Sequence, residues 1–316
     1  MASGILILIL VLLVVVIGAA ALPYWAEARR RPMDEWERRD APGTCVQLSQ
    51  GVTHYQWHGA VRGPVAVCVH GLSTPSFVWN GLARALGAMG YRVLTYDLYG
   101  RGYSDRPEGS QNDDFFIKQL EDLLDDQEIE EDFTLFGYSM GGAIATVFAA
   151  KHPNRVRHLV LLASSGMVMT TDRATQFIRQ KQGLGDWLML ALFPGRHRRG
   201  TEAERALPSS VPDIVDLQQR ELHYRGFVPA VLSSLRGILS RELQDEHRTI
   251  HRAGVPVLAI WAREDDVIPL SAMGRLTEWS RDAWQEVIED AGHGMTYTHT
   301  DQIAAILSER LRDGLN

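Results

Sequence analysis

The longest apolar run lies at the start of the chain. Gly4 to Leu22 is nineteen residues without a charge or a strongly polar side chain. As a helix rising ~1.5 Å per residue it spans roughly 28 Å, close to the ~30 Å hydrocarbon core of a bilayer. Tyr24 and Trp25 follow, where interfacial aromatics are expected, and then Arg29, Arg30 and Arg31. Met1, Ala2 and Ser3 carry no Lys or Arg, so the positive-inside rule puts the arginine side, and the chain beyond it, in the cytoplasm. Ala19-Ala20-Ala21 would also serve as the cleavage site of a secretory signal. Against this, the basic n-region is missing and the run exceeds the usual ~7–15 residues. Residues 1–25 therefore read as a single-pass membrane anchor, with export after signal cleavage as the alternative. Residues 26–44 read as a polar juxtamembrane linker with a short helical stretch around Asp34–Arg39.

From about residue 52 onward, short β-branched apolar runs alternate with helical patterns. The runs predict strands at Val52–Trp57, Val65–Val69, Val93–Tyr96, Thr134–Phe136, Leu159–Leu162, Val257–Trp261 and Trp284–Ile288. Helices are predicted at Trp79–Met89, Phe115–Asp126, Gly141–Lys151, Ala272–Ser280 and Asp301–Leu311. Val65-Ala66-Val67-Cys68-Val69 has no polar face, as suits a strand buried on both sides in a parallel sheet covered by helices. The alternation stops over 166–251, which is helical in pattern and Arg-rich. The expected architecture is α/β: a mostly parallel sheet with helices on both faces, in two parts (45–165 and 252–316), interrupted by a helical cap at 166–251.

Composition narrows the function. The chain has 316 residues, 45% hydrophobic and 22% charged, so it is neither disordered nor low-complexity. A net charge of −7 argues against a general nucleic-acid binder. Two cysteines, Cys45 and Cys68, exclude a disulfide scaffold and a Cys-rich metal site. Cys68 reads as a small buried apolar residue. No pattern in the chain specifies an oligomeric state.

The chemistry concentrates at Gly137-Tyr138-Ser139-Met140-Gly141, a G-x-S-x-G pattern. A predicted strand precedes it and a helix opening with small residues follows. A serine on such a strand-to-helix turn is strained, and its neighbours must be small for the helix to approach the strand. The turn presents the hydroxyl beside the first amides of the helix, where negative charge is favoured. A serine needs a base to take its proton, and the base needs a carboxylate to orient it. His293, between Gly292 and Gly294 after the final predicted strand, fits the base. Asp265, after the Val257–Trp261 strand, fits the acid best; Glu264 and Asp266 beside it remain alternatives.

These pieces resemble the α/β-hydrolase fold serine hydrolases. The match comprises His70-Gly71, Asp97-Leu98-Tyr99-Gly100-Arg101-Gly102-Tyr103-Ser104, the Gly137–Gly141 turn, Glu264-Asp265 followed by Pro269, and Gly292-His293. The resemblance implies an oxyanion hole from the backbone N–H groups of Leu72 and Met140. It also implies that His70, Asp97, Arg101 and Ser104 brace loops. Family members with an aspartate nucleophile are set aside by Ser139, while peroxidase-like and C–C bond hydrolases share the same triad. Neither a metal nor an organic cofactor is required.

Within the cap, Leu184–Phe193 is strongly apolar and runs into Arg196-His197-Arg198-Arg199. This suits a lid at an anionic membrane surface, or equally a helix covering the site beside solvated arginines. Trp187, Leu188, Leu192, Phe193, Phe227 and Val231 are the expected acyl-pocket residues. With the anchor, the chain is similar to membrane-anchored monoacylglycerol lipases and lysophospholipases, which implies a lipid or other hydrophobic ester as substrate and a bilayer as partner. A tethered small-substrate esterase or C–C bond hydrolase is the alternative. A non-catalytic binding protein of the same fold would have no reason to hold all three triad residues.

Overall fold

The computed structural model describes residues 2–312. The apolar run forms α1 (Ala2–Ala28), and α2 (Glu35–Arg38) follows. Asp34 starts α2, its carboxylate accepting the Glu37 N–H at 3.1 Å. Eight strands then build one sheet: β1 (Thr44–Leu48), β2 (Gly51–Gly59), β3 (Val65–Val69), β4 (Arg92–Tyr96), β5 (Phe133–Tyr138), β6 (Val156–Leu162), β7 (Val257–Ala262) and β8 (Trp284–Ile288). Their spatial order is β1-β2-β4-β3-β5-β6-β7-β8. β2 pairs antiparallel with β1 and β4, and every later pair is parallel.

Parallel neighbours need crossover helices. α3 (Asn80–Ala88), α4 (Asp113–Asp126) and α5 (Met140–Lys151) make the first three. Between β6 and β7 lie α6 (Arg173–Gln180), α7 (Leu184–Ala203), α8 (Ile214–Arg220), α9 (Phe227–Arg236) and α10 (Gln244–Ala253). Among the described residues no strand falls in that interval. α11 (Ser271–Trp279) links β7 to β8, and α12 (Met295–Thr298) and α13 (Thr300–Arg312) follow.

The central strands are mostly apolar and buried because helices cover both faces. Every residue of β5 is buried. Alternate residues enter opposite layers: Val67, Leu135 and Leu159 join one core cluster, while Cys68, Phe136 and Val160 join the other. Cys68 is fully buried, and burial pushes its thiol up, far from a reactive thiolate. β1 had no counterpart in the hydrophobic pattern. It is an edge strand with only Leu48 buried, and its order comes from its ladder with β2 rather than from burial.

The segment after the apolar run is packed against the cap and the core. Pro23 has no N–H, so the Ala19 carbonyl loses its partner within α1. The Trp187 indole N–H of α7 donates to that carbonyl at 3.2 Å. Glu27, buried at the end of α1, accepts the Gly226 N–H at 2.6 Å and pairs with Arg30 at 2.8 Å. Arg31 exchanges backbone bonds with the chain around Tyr224: its N–H donates to His223 O at 3.1 Å and its carbonyl accepts from Arg225 N at 2.8 Å. Arg38 donates to Tyr103 O at 2.8 Å and pairs with Asp105. The apolar length of α1 is left uncovered, with Ile5 to Ile17 each more than half exposed.

Candidate active site

The turn from β5 to α5 fixes the serine. Ser139 has φ +53° and ψ −120°, a conformation a non-glycine residue keeps only when its surroundings hold it. Its N–H donates to Leu162 O at 3.0 Å, and its carbonyl accepts from Gly142 N (2.9 Å), Ser165 N (3.1 Å) and Ser165 Oγ (3.1 Å). Close packing explains the small neighbours. A Cβ on Gly141 would lie 2.1 Å from Val69 O, and one on Gly137 would lie 2.5 Å from Gly141 O. Neither contact is sterically possible, so α5 could not descend onto β3 and β5 with larger residues there.

Two loops at the ends of β7 and β8 meet the serine. His293 Nε2 is 3.0 Å from Ser139 Oγ, and His293 Nδ1 is 2.8 Å from Asp265 Oδ2. Asp265 is itself fixed, because Oδ1 accepts the Val267 and Ile268 amides at 2.8 Å each. Asp265 is buried, whereas Glu264 and Asp266 are exposed, which separates the three adjacent acids. The Tyr138 hydroxyl donates to His293 O at 2.9 Å and its ring packs on the imidazole at 5.5 Å.

Leu72 and Met140 flank the serine. Met140 opens α5, so its N–H has no partner within the helix. The Leu72 N–H donates to nothing among the described residues. Gly71 brings that loop against Ser139, where a Cβ would lie 3.2 Å from the serine Cβ. His70 Nε2 accepts the Leu98 N–H at 2.9 Å and Nδ1 donates to Gly71 O at 2.8 Å. Burial lowers its pKa to about 4, so it is a neutral brace. Arg101, fully buried, donates to Leu72 O at 2.9 Å and to Ser234 Oγ of α9 at 2.8 Å, tying this loop to the cap. Asp97 accepts from Ser76 N (2.8 Å) and Tyr103 N (2.9 Å).

A cavity of about 560 Å³ opens over Ser139 and His293. None of the six expected acyl-pocket residues lines it. Trp187 is committed to the Ala19 carbonyl. Leu192 faces outward, and Leu188 packs at the edge of the core. Phe227 and Val231 are fully buried within the fold. Phe193 stacks on His197 at 5.4 Å, and His197 is what meets the cavity. In this part of the chain the lining comes instead from the second half of α7, the Glu204 that caps it, and α8: His197, Gly200, Thr201, Glu204 and Gln218. His197, within the run of arginines, is buried and donates to Gln218 O at 3.1 Å. The 197, 200, 201, 204 spacing is one helical face, a signal that hydrophobicity alone passes over.

The sheet order, the serine turn and the histidine loop define a class. The α/β-hydrolase fold profile matches residues 64–300, and the chain belongs to that family. The 2-hydroxymuconate semialdehyde hydrolase of Pseudomonas sp. (strain CF600) is 27% identical over 269 residues, 81% of this chain and 89% of that protein. A pimeloyl-[acyl-carrier protein] methyl ester esterase of Aeromonas salmonicida is 29% identical over 252 residues, 78% of this chain and 94% of the other. Among solved structures, a membrane phospholipase A described as a bacterial virulence factor aligns with a TM-score of 0.71 at 22% identity, covering 100% of this chain and 99% of that one.

Proposed function

We propose that the chain is a membrane-anchored serine hydrolase that cleaves carboxylic esters of lipophilic substrates, of the monoacylglycerol or lysophospholipid type. The observation that carries this reading is the unbroken Asp265–His293–Ser139 hydrogen-bond chain opening onto the cavity. Ser139 Oγ attacks the ester carbonyl carbon while His293 Nε2 takes the hydroxyl proton. Asp265 holds the Nδ1 tautomer and stabilises the imidazolium. The Leu72 and Met140 amides receive the oxyanion, a contribution of several kcal/mol to the barrier (about 3–4 for one such donor). The C–O bond breaks, His293 gives its proton to the leaving alkoxide, and water then hydrolyses the acyl-enzyme with His293 again as base.

The apolar, uncovered α1 supports the anchor, which concentrates the enzyme where lipid esters dissolve. Arg29 to Arg31 support a cytoplasmic catalytic domain. A specific observation favours a second reading, a tethered esterase or C–C bond hydrolase acting on small substrates. The cavity wall carries a polar run, and two relatives bear the names of a semialdehyde hydrolase and a methyl ester esterase.

Detergent-purified protein should be assayed on 1-monoacylglycerols of increasing chain length beside a short soluble aryl ester, with Ser139→Ala as the blank. Serine-dependent activity rising toward medium or long chains supports the lipid reading. Activity confined to the short ester selects the second reading, and wild-type rates in Ser139→Ala would remove the triad from the mechanism.

A further inference from the structure

The cavity over Ser139 has two chemically distinct linings. Met169, Leu239 and Val267 are apolar, and Thr170 N–H donating to Val267 O at 2.8 Å joins two of their loops. The other lining is a continuous polar chain. Gln218 donates its amide N–H to Thr74 Oγ1 at 3.1 Å and to Tyr297 Oη at 3.5 Å. The Tyr297 hydroxyl in turn donates to the Glu204 carboxylate. All four residues line the cavity. Gln218 is 3% exposed, and its Oε1 has no hydrogen-bond partner. A buried amide oxygen left unpaired is costly, and native proteins keep few of them.

The polar chain lies on the histidine side of the serine. The Tyr297 N–H donates to the carbonyl of Gly294, the residue after His293, at 3.1 Å. His293 must hand its proton to the leaving oxygen, so the leaving alcohol occupies this side and the acyl chain the apolar one. A second cavity of about 280 Å³ shares Glu204, His293 and Gly294 with the first, which gives a released alcohol an opening beside the histidine.

We propose that Thr74, Glu204, Gln218 and Tyr297 form a subsite for the hydroxyl groups of the leaving alcohol. This selects esters of a neutral polyol such as glycerol. It rests on the ester-hydrolase reading above and specifies the substrate class for it. Gln218 Oε1 accepts one alcohol O–H. Glu204, bonded to Tyr297 through one oxygen, offers the other oxygen to a second hydroxyl and repels a carboxylate-bearing leaving group. A methyl ester leaves the buried Gln218 acceptor unpaired, and sites built for a hydroxyl discriminate strongly against analogues that lack it.

The test compares kcat/KM of the full-length protein in detergent on 1-lauroylglycerol, methyl laurate and the lauroyl ester of glycolate. The acyl group is common to all three. The wild type should favour the glyceryl ester over the methyl ester at least tenfold. Gln218→Leu should lower the glyceryl value about tenfold more than the methyl value, and Glu204→Gln should raise the glycolate ester relative to the glyceryl one. If Gln218 only braced Thr74, both neutral esters would fall together and their ratio would stay fixed. Glu204 is only half-buried, so its variant keeps the test open if Gln218→Leu misfolds. Equal wild-type kcat/KM on the two neutral esters, or ratios unmoved by both substitutions, overturns the subsite and leaves the ester hydrolase standing. Hydrolysis of none of the three overturns the ester reading itself.

Discussion

Asp265→Asn isolates the carboxylate's contribution to the triad. The two oxygens of Asp265 do separate jobs: Oδ1 accepts the Val267 and Ile268 amides at 2.8 Å, and Oδ2 accepts His293 Nδ1–H at 2.8 Å. Asparagine has one acceptor oxygen. It will face the two backbone donors, because the NH2 group there would leave both unpaired. That orientation turns the NH2 toward His293 Nδ1, which must then accept. The ring proton moves to Nε2, 3.0 Å from Ser139 Oγ, and the imidazole can no longer take the serine proton. The serine-protease triad loses roughly 10⁴ in kcat by this route, which at ~1.36 kcal/mol per decade is about 5.5 kcal/mol. Folding should survive, since both backbone bonds are kept and the side-chain volume is unchanged. The assay is kcat and KM for ester hydrolysis, with the Tm of each variant and Glu264→Gln as an exposed control. Asp265→Asn should lose about four decades of kcat with little change in KM or Tm, and Glu264→Gln should retain activity. If Asp265→Asn keeps activity within tenfold of wild type, the tautomer argument is wrong. If its activity falls only in step with its Tm, the residue is structural.

Two further outcomes follow from contacts outside the triad. Trp187→Phe keeps an aromatic side chain but removes the donor to the Ala19 carbonyl at the Pro23 gap; losing that bond should cost about 0.5–1.5 kcal/mol and lower the detergent Tm, and an unchanged Tm would mean that the indole N–H contributes nothing to holding α1 on the cap. His54 Nδ1 pairs with Asp97 Oδ2 at 2.7 Å with both side chains buried. Burial opposes the charge on His54, but Asp97 outweighs it and raises the pKa above the ordinary 6.5. The stabilisation is therefore complete below about pH 6.5 and lost as pH rises through the raised value. Burial likewise opposes ionisation of Asp97, yet His54 and the Ser76 amide hold it below the usual carboxylate range, so its own contribution fades only in strong acid. Urea unfolding of His54→Gln should lack the decline in stability that the wild type shows from pH 6 to pH 9; parallel curves would contradict the pairing.

The periodicity located the central strands closely because both faces of a parallel sheet are apolar, so composition alone marks them. β3 spans Val65–Val69 as expected, and β7, buried throughout, spans Val257–Ala262 against the expected Val257–Trp261. β1 was silent for the opposite reason: an edge strand buries little, and its ladder bonds to β2 leave no trace in residue type. Ser139, Asp265 and His293 were legible because each sits in a local context, a strained turn or a strand-end loop, that demands particular neighbours. Which of three adjacent acids faces the histidine is a matter of loop conformation, and the backbone amides of Val267 and Ile268 decide it.

The acyl-pocket reading failed where tertiary structure overrides hydrophobicity. Leu184–Phe193 packs Met189, Leu188, Leu190 and Phe193 against the core, and its tryptophan serves a helix carbonyl 168 positions earlier in the chain. The cavity is walled instead by His197, Glu204, Gln218 and Tyr297, drawn from three separate elements. A helical period joins His197 to Glu204, but no run, period or motif joins them to Gln218 and Tyr297. By itself the sequence determined the sheet, the apolar N-terminal helix and the three residues of the hydrogen-bonded chain, since each depends on local polarity and backbone strain. Only the tertiary structure decided which side chains face the reacting carbon, because that depends on how the helices between β6 and β7 lie over the sheet.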